Sequence, residues 1–402
     1  MRLLHTADWH LGQRFHGFDR LHEQERFLNW LAKQIDEQGV DALLIAGDVF
    51  DTLSPSSHSL RLLYDFLARI AASQPGLQVV MIAGNHDSGL RLEAAQPLLS
   101  TLNVHVRGIV PRLPDGSIDY GYFAIPLRSR KGEEVLCVAV PYLRPADCPI
   151  VEEGGDPFLA FFHGLRTHLP AGDIPRVAMA HLFAANAVSS SGSVPVVGGL
   201  ERVNAAAFPP EVYDYVALGH LHRAQRVYGL DTVRYSGSPL PMSFAEKEYS
   251  HEVLLVDLNA DGVHISPLAY ESPVKLLELS GTPRAIREQM AQMPSGEPDQ
   301  WAPILSLIVE LDGPRPSLRR EVQEWAEGHY VRLGPMRAHV PEVADPARGK
   351  AVLVQGRIDP VAVAQQEYQS LYKTDMPAPL LDRFLQAIEA SKTPDPHANS
   401  CD

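Results

Sequence analysis

The sequence predicts an α/β fold, and three observations carry that prediction. The first hundred residues alternate strand-like and helix-like segments. Five apolar runs end in groups of Asp, Asn and His. A later stretch turns to closely spaced strands of antiparallel type. Arg2–Ala7 is a short apolar run that stops at Asp8. Asp19–Gln38 carries Leu21, Leu28, Leu31 and Ile35 at helical spacing, with Gly39 placed to end it. Asp41–Ala46 is apolar throughout, as a strand buried on both faces is, and ends at Gly47-Asp48. Ser57–Ala72 is helical again, with Leu60, Leu63, Phe66 and Ile70 on one side. Leu77–Ala83 repeats the buried-strand pattern and ends at Gly84-Asn85-His86-Asp87. This β-α-β-α-β order predicts a parallel sheet with helices on both faces.

Short strands with turn signals follow from Val104 to Tyr142, and then a loop rich in Pro, Gly and acid over Pro145–Pro157. Pro157–His168 reads as a helix and Arg176–Ala180 as a strand ending at His181. Ala187–Gly199 is a long loop of small residues, either a lining of a substrate groove or a surface loop. Tyr213–Leu218 is a strand ending at Gly219-His220-Leu221-His222, and Arg226–Tyr235, Glu252–Leu258 and Gly262–Leu268 are antiparallel-type strands. After a boundary near Ala269–Pro273, strand-like Lys275–Leu279, Ile304–Leu311 and Tyr330–Leu333 alternate with helices at Thr282–Met293 and Ser317–Glu327, a small α+β unit. Two amphipathic helices close the chain. One, led by Asp359-Pro360, carries Val361, Ala364, Tyr368 and Leu371; the other, after Pro379, carries Leu381, Phe384, Leu385 and Ile388. The expected domains are 1–270, 271–345 and 346–402.

Composition excludes several classes. The 402 residues carry 35 Lys and Arg against 49 Asp and Glu, a net charge of −14, and neither 1–270 (−9) nor 271–402 (−5) is basic. A basic nucleic-acid-binding surface is therefore not expected from charge alone. Cys137, Cys148 and Cys401 form neither a CxxC pair nor an even framework, which argues against a disulfide-stapled or cysteine-rich zinc protein. No apolar run approaches the ~20 residues of a membrane helix, and the start of the chain has no signal-peptide pattern. A cytoplasmic protein is expected.

The strand ends carry the chemistry. They read Asp8-Trp9-His10, Gly47-Asp48-Val49-Phe50-Asp51, Gly84-Asn85-His86-Asp87, His181 and Gly219-His220-Leu221-His222. Ligands of open α/β sheets bind at the carboxyl ends of strands, where these distant groups would meet. Mixed Asp and His donors suit Mn²⁺, Fe or Zn²⁺ better than Mg²⁺ or Ca²⁺, and a carboxylate such as Asp48 can bridge two cations ~3.5–4 Å apart. Taken singly, most of these groups read as core histidines or helix caps; five in order, each at a strand end, do not.

That ordered set resembles the calcineurin-like metallophosphoesterases. LHTADWHLG, LIAGDVFD, IAGNHDS, YVALGHLHRAQ and YSGSPLPMSF, the last ending at Phe244, are similar within them to the SbcD nucleases, subunits of bacterial SbcCD complexes. The resemblance is dense over Met1–Leu268. It implies a β-sandwich flanked by helices, with a small α+β capping domain and a C-terminal helical tail. It also implies two divalent ions, Mn²⁺ foremost, one held by Asp8, His10 and His222 and the other by Asn85, His181 and His220, with Asp48 between them. His86 would not be a ligand. It would face the scissile phosphate and protonate the leaving oxygen.

Asp51 and Asp87 stand either behind the ligands, orienting them, or as caps of following helices. His5, His16 and His22 lie near these motifs but read as surface residues. The candidates for DNA contact are Arg14, His16, Arg20 and Arg223, with the Arg128-Ser129-Arg130-Lys131 cluster reading better as an exposed hairpin turn. The implied activity is hydrolysis of DNA phosphodiesters by an activated water: 3′→5′ exonuclease action on double-stranded ends and endonuclease cleavage of hairpins, in repair, recombination and replication. The implied partners are an SbcC-type ATPase, bound through the tail helices, and a second copy of the chain. The competing readings are a small-molecule metallophosphodiesterase on the same core and a non-enzymatic scaffold; the α+β unit and tail argue against the first and the full ligand set against the second.

Overall fold

Apolar runs fold into strands here because both faces of each strand find a partner. The computed structural model describes residues 1–185, 187, 203–313, 315–339 and 374–392, with short stretches between 353 and 369. The elements begin with β1 (Arg2–Thr6), the hairpin β2 (Arg14–Phe15) and β3 (Phe18–Asp19), α1 (Leu21–Gln38), β4 (Ala42–Ala46), α2 (Ser57–Ser73) and β5 (Gln78–Ile82). Next come α3 (Gly89–Glu93), α4 (Gln96–Leu99), β6 (Val104–Arg107), β7 (Ala124–Arg128), β8 (Glu134–Val140), α5 (Pro157–Thr167), β9 (Arg176–His181) and β10 (Tyr215–Gly219). The strands β11 (Gln225–Val227), β12 (Leu230–Tyr235), β13 (Glu252–Asn259) and β14 (Gly262–Ala269) follow. Gly39 adopts φ 63° and closes α1, and the Ser56 side chain accepts from the Ser59 N–H to open α2.

Two six-stranded sheets result, ordered β14-β13-β1-β4-β5-β6 and β11-β12-β10-β9-β8-β7. β1, β4, β5 and β6 are parallel, as are β8, β9, β10 and β12. Alternation along the first sheet decides the layers. Leu4, Leu43, Ile45, Val79 and Met81 pack with Phe27, Leu31 and Ile35 of α1 and Leu63, Phe66 and Ile70 of α2. Leu3, Leu44, Val80 and Ile82 pack instead with Val177, Met179 and Ala217 of the second sheet. Helices therefore cover one face of the first sheet, and the second sheet, not a helix layer, covers the other. Continuous apolar runs require two covered faces but do not say what covers them. α5 lies outside the second sheet through Phe158, Phe161, Phe162 and Leu165.

The α+β segment forms β15 (Leu276–Gly281), α6 (Pro283–Met290), β16 (Ile304–Glu310), α7 (Leu318–Ala326) and β17 (Arg332–His339), with sheet order β15-β16-β17. Most of it clusters with the two sheets: one compact unit comprises 1–309 and 316–337, and a second comprises 310–315 and 338–402. Phe15 of the β2–β3 hairpin packs on Val274 and Ile304. His22 bonds the Gln300 carbonyl at 2.9 Å and meets Trp301 edge-on. In the second unit α8 (Ala378–Lys392) carries half-buried Leu381 and Phe384 and exposed Leu385. Val361, Ala364 and Tyr368 are helical; Leu371, the Ile388 side chain and the Val188–Gly199 part of the predicted loop lie outside the described residues.

Two sequence expectations fail on burial. His5 is fully buried between the sheets rather than on the surface. Arg20 is 2% exposed and cannot touch DNA. It makes two hydrogen bonds of 3.0 Å to Glu23, itself 1% exposed, and one of 2.6 Å to the Pro241 carbonyl. Removing one partner of a buried pair strands the other charge, so Arg20→Ala is expected to cost about 3–5 kcal/mol of stability. Urea unfolding of the two proteins measures this, and an unchanged midpoint would show that Glu23 is readily re-solvated.

Candidate metal centre

The five predicted strand ends meet along one edge of the sandwich. The backbone turns sharply where β1, β4 and β10 end: Asp8, His10, Asp48 and His220 all adopt positive φ, at 55°, 45°, 48° and 105°. Such non-glycine strain persists only where the surroundings enforce it, and it clusters at functional sites. Two glycines let the ends approach. A Cβ on Gly47 (φ 90°) would overlap the His181 ring, and one on Gly84 would overlap the Asp48 carboxylate.

Asp8, His10 and His222 bring their ligand atoms within 4.8 Å of one another, as do Asp8, Asp48 and His181, and His10, Asp48 and His86. Asn85 joins through Oδ1, 3.0 Å from His181 Nε2 and 2.9 Å from His220 Nδ1. All seven predicted ligand residues are thus gathered, with His86 beside them. Asp8 and Asp48 are buried, and Asp8 accepts the His220 backbone N–H at 3.0 Å, tying β1 to the end of β10.

Hydrogen bonds fix several imidazoles. An oxygen that can only accept must face an N–H. His181 Nδ1 therefore donates to the Ala46 carbonyl at 2.9 Å, His222 Nδ1 to Glu246 Oε1 at 3.2 Å, and His86 Nδ1 to the Asp51 carbonyl at 2.9 Å. The Nε2 of His181 then faces two oxygens, Asn85 Oδ1 and, at 3.4 Å, Asp48 Oδ2. Two acceptors at that atom call for positive charge, supplied either by a bound cation or by a second proton on the ring, which Asp48 and Asp8 favour. His10 makes the same point: it is 3% exposed, and neither ring nitrogen makes a hydrogen bond. Asp51 and Asp48 oxygens stand 3.4 and 3.7 Å from its two nitrogens. A buried imidazole with two orphaned nitrogens among carboxylates fits a divalent ion.

The electrostatics follow. Burial pushes Asp8 up. Burial also opposes ionisation of Asp48, but His181, His10 and His86 outweigh it and hold its carboxyl far below the usual range. Burial and the neighbouring His181 push His220 down to about 3.

The remaining sequence candidates divide. Asp87 caps no helix. Its carboxylate accepts from the N–H groups of Val49 at 3.0 Å, Phe50 at 2.9 Å and Gly84 at 2.9 Å, and so binds the β4 and β5 ends together. Burial pushes its pKa up to about 6. Arg14, His16 and Arg223 are exposed; Arg14 bonds the Gly17 carbonyl and Arg223 lies over the Tyr249 ring. The Arg128–Lys131 cluster forms the β7–β8 turn, at the opposite end of the strands from the site.

The sequence reading missed Glu246. It is 2% exposed and accepts from the Met242 N–H at 2.8 Å and the Ser243 hydroxyl at 3.2 Å as well as from His222. It lies two residues past the YSGSPLPMSF string, in a stretch with no ligand pattern of its own. A carboxylate behind a ligating histidine raises its basicity and fixes its ring. Glu246→Ala is therefore expected to weaken metal affinity roughly 10–100-fold, measured by titration calorimetry with Mn²⁺; unchanged affinity would remove Glu246 from this role.

The comparisons agree with this geometry. The calcineurin-like phosphoesterase family matches residues 1–224. The SbcD subunit of the SbcCD nuclease of Rhodobacter capsulatus is 39% identical over 366 residues, spanning 86% of this chain and 89% of that one. The SbcD subunit of Escherichia coli is 33% identical over 360 residues, spanning 83% and 84%. That of Bacillus subtilis is 36% identical over 275 residues, spanning 64% and 66%. With a strand-end site of phosphoesterase type and this breadth of identity, the chain belongs to the SbcD nucleases within the calcineurin-like phosphoesterases.

Proposed function

We propose that this chain is the Mn²⁺-dependent nuclease subunit of an ATP-driven complex with an SbcC-type ATPase. It would degrade double-stranded DNA ends 3′→5′ and open hairpins, in the cytoplasm and as a homodimer. Asp8, His10 and His222 would hold one ion, Asn85, His181 and His220 the other, and Asp48 both. The observation that carries the reading is the pair of orphaned nitrogens on buried His10 within a gathered set of seven donors. Two divalent ions there would supply Lewis acidity toward the scissile phosphate and an activated water.

The chain's own residues do the rest. Glu246 and the Ala46 carbonyl hold the His222 and His181 rings. The Asp48 carboxylate accepts the His86 backbone N–H at 2.9 Å, so the residue that would serve both ions also places the exposed His86. With Nδ1–H committed to the Asp51 carbonyl, Nε2 is the ring atom left to face a leaving oxygen, and it would deliver a proton there from the imidazolium form. The pocket of about 490 Å³ beside His86 is lined by Asp51, Thr52, Leu53, Ser54 and Asn85 and is open to solvent, as a polymer substrate requires. An acidic chain would draw phosphate by focused charge at the ions rather than by a basic surface, and would depend on its partner to hold DNA.

The 271–345 segment would cap the site and orient the duplex, and the tail helices would dock on the ATPase. The deciding assay is hydrolysis of linear duplex DNA with Mn²⁺, with and without that ATPase. Turnover of a chromogenic phosphodiester alone would favour a small-molecule esterase. Deleting 359–402 is expected to leave the remaining chain folded but abolish co-purification with the ATPase; retained association would refute the tail's role. Among the described residues no helix is long and apolar enough to cross a membrane.

A further inference from the structure

The candidate site is split between two sheets. Asp8 and His10 extend from β1, and Asp48, Asn85 and His86 from its neighbours β4 and β5; His181, His220 and His222 extend from β9 and β10. Between the sheets lies a layer of Leu, Val, Ile, Ala and Met side chains. Apolar packing is non-directional, so it holds two sheets together without fixing how far one slides along the other. A pair of ion sites assembled from both sheets needs that offset held within a fraction of an ångström.

His5 adds a polar group to that layer, beside the Tyr215 hydroxyl. It sits on β1 three residues before Asp8 and is fully buried. Its Nε2 faces the Leu218 carbonyl at 3.2 Å, and its Nδ1 the Tyr215 hydroxyl at 2.8 Å. The carbonyl only accepts, so Nε2 carries the proton and Nδ1 accepts from Tyr215. One neutral ring thus spans from β1 to two points on β10, and Leu218 lies two residues before His220. Two directional bonds to residues of one strand resist sliding along it, which one bond or an apolar side chain does not. Burying an imidazole where the neighbours are aliphatic is costly unless both nitrogens are satisfied, and here both are. Burial depresses its pKa to about 3, in keeping with the neutral form.

We infer that His5 is a positioning residue that sets the register between the two halves of the site, and through it the spacing of the two bound ions. The inference rests on the two-ion reading above. Other polar ties between the sheets on this side include the Tyr142 N–H to Ala83 carbonyl bond at 2.8 Å, which is backbone to backbone, and those of His181 and Asp8, which are proposed donors. His5 is not among the proposed donors, so it can be changed without removing one.

The test uses the full chain, Mn²⁺ alone as the probe, and two readouts other than hydrolysis: the calorimetric Mn²⁺ isotherm and the exchange-coupled two-Mn²⁺ signal in electron paramagnetic resonance. His5→Leu keeps an apolar side chain of similar reach and deletes both bonds. Tyr215→Phe deletes one bond with almost no change of shape, and folding of each is checked by circular dichroism. Wild type is expected to bind two ions and show the coupled signal. His5→Leu should weaken binding of at least one ion by roughly tenfold and diminish the coupled signal; Tyr215→Phe should do the same in smaller degree. His5→Gln, whose amide can donate to Leu218 and accept from Tyr215, should restore the coupled signal. Wild-type affinity and coupling in the folded Tyr215→Phe protein, and in His5→Leu where it folds, would overturn the inference. A wild-type chain that binds fewer than two ions would instead overturn the two-ion reading and leave the fault there.

Discussion

Asp48→Asn is expected to abolish DNA hydrolysis and to lose both ions together. The carboxylate is 2% exposed, stands 3.4 Å from His181 and 3.7 Å from His10, and accepts the His86 backbone N–H. It thus joins the two halves of the site to the loop that carries His86. Its negative charge is held by surrounding imidazoles against the cost of burial. An amide of the same shape keeps the packing but supplies no charge to balance two cations. Cation stabilisation of a phosphoryl transition state is worth several kcal/mol, so the loss corresponds to roughly 10³-fold or more in kcat. Mn²⁺ titration and single-turnover cleavage of a duplex measure the two consequences. A variant that retained one tight ion would show that Asp48 serves only one half of the site.

The contrast between Asp48 and Glu246 marks how far the sequence could be read. Asp48 follows a glycine at the end of an unbroken apolar run, and Asp8, Asn85, His181 and His220 occupy the same kind of position; the pattern that makes a buried strand also says where it ends. That is why the parallel order of β1, β4 and β5 and the convergence of their ends were legible. Glu246 sits in a one-turn 3-10 segment, Phe244–Glu246, far from any strand end. Its role exists only because the chain folds back to put it beside His222. Arg20 and His5 failed for a related reason. Charge and polarity predict exposure on average, and an arginine matched to Glu23 or a histidine matched to Tyr215 is an exception created by tertiary partners. The layer order read from periodicity alone failed differently, while the sandwich flanked by helices that the resemblance implied is what the chain forms: a strand apolar on both faces needs two covers, and nothing within β4 distinguishes a helix from a second sheet. Asp87 shows the same limit in miniature. Its place after His86 left open either a carboxylate behind the ligands or a helix cap, and its carboxylate turns back onto Val49, Phe50 and Gly84, so the cap reading falls.

His86→Gln separates catalysis from ion binding. His86 is exposed, while His10, its edge-on neighbour at 4.8 Å between ring centroids, is buried. Its Nδ1 is spent on the Asp51 carbonyl and its backbone is fixed by Asp48. The ring is therefore held in place by the chain itself, as suits a group that must meet a leaving oxygen repeatedly. Glutamine keeps a donor of similar length but cannot give up a proton near neutral pH. Loss of a positioned general acid typically costs 10²–10⁴-fold, and cleavage should fall by about that factor. Mn²⁺ stoichiometry and affinity should remain close to wild type, because the seven proposed donors are untouched. Two further comparisons sharpen the result. A substrate whose leaving group needs no protonation should recover most of the lost rate in the variant, since the proton is then dispensable. Loss of an ion on the same substitution would place His86 among the ligands, consistent with its approach to His10 and Asp48, and would move the proton to another donor.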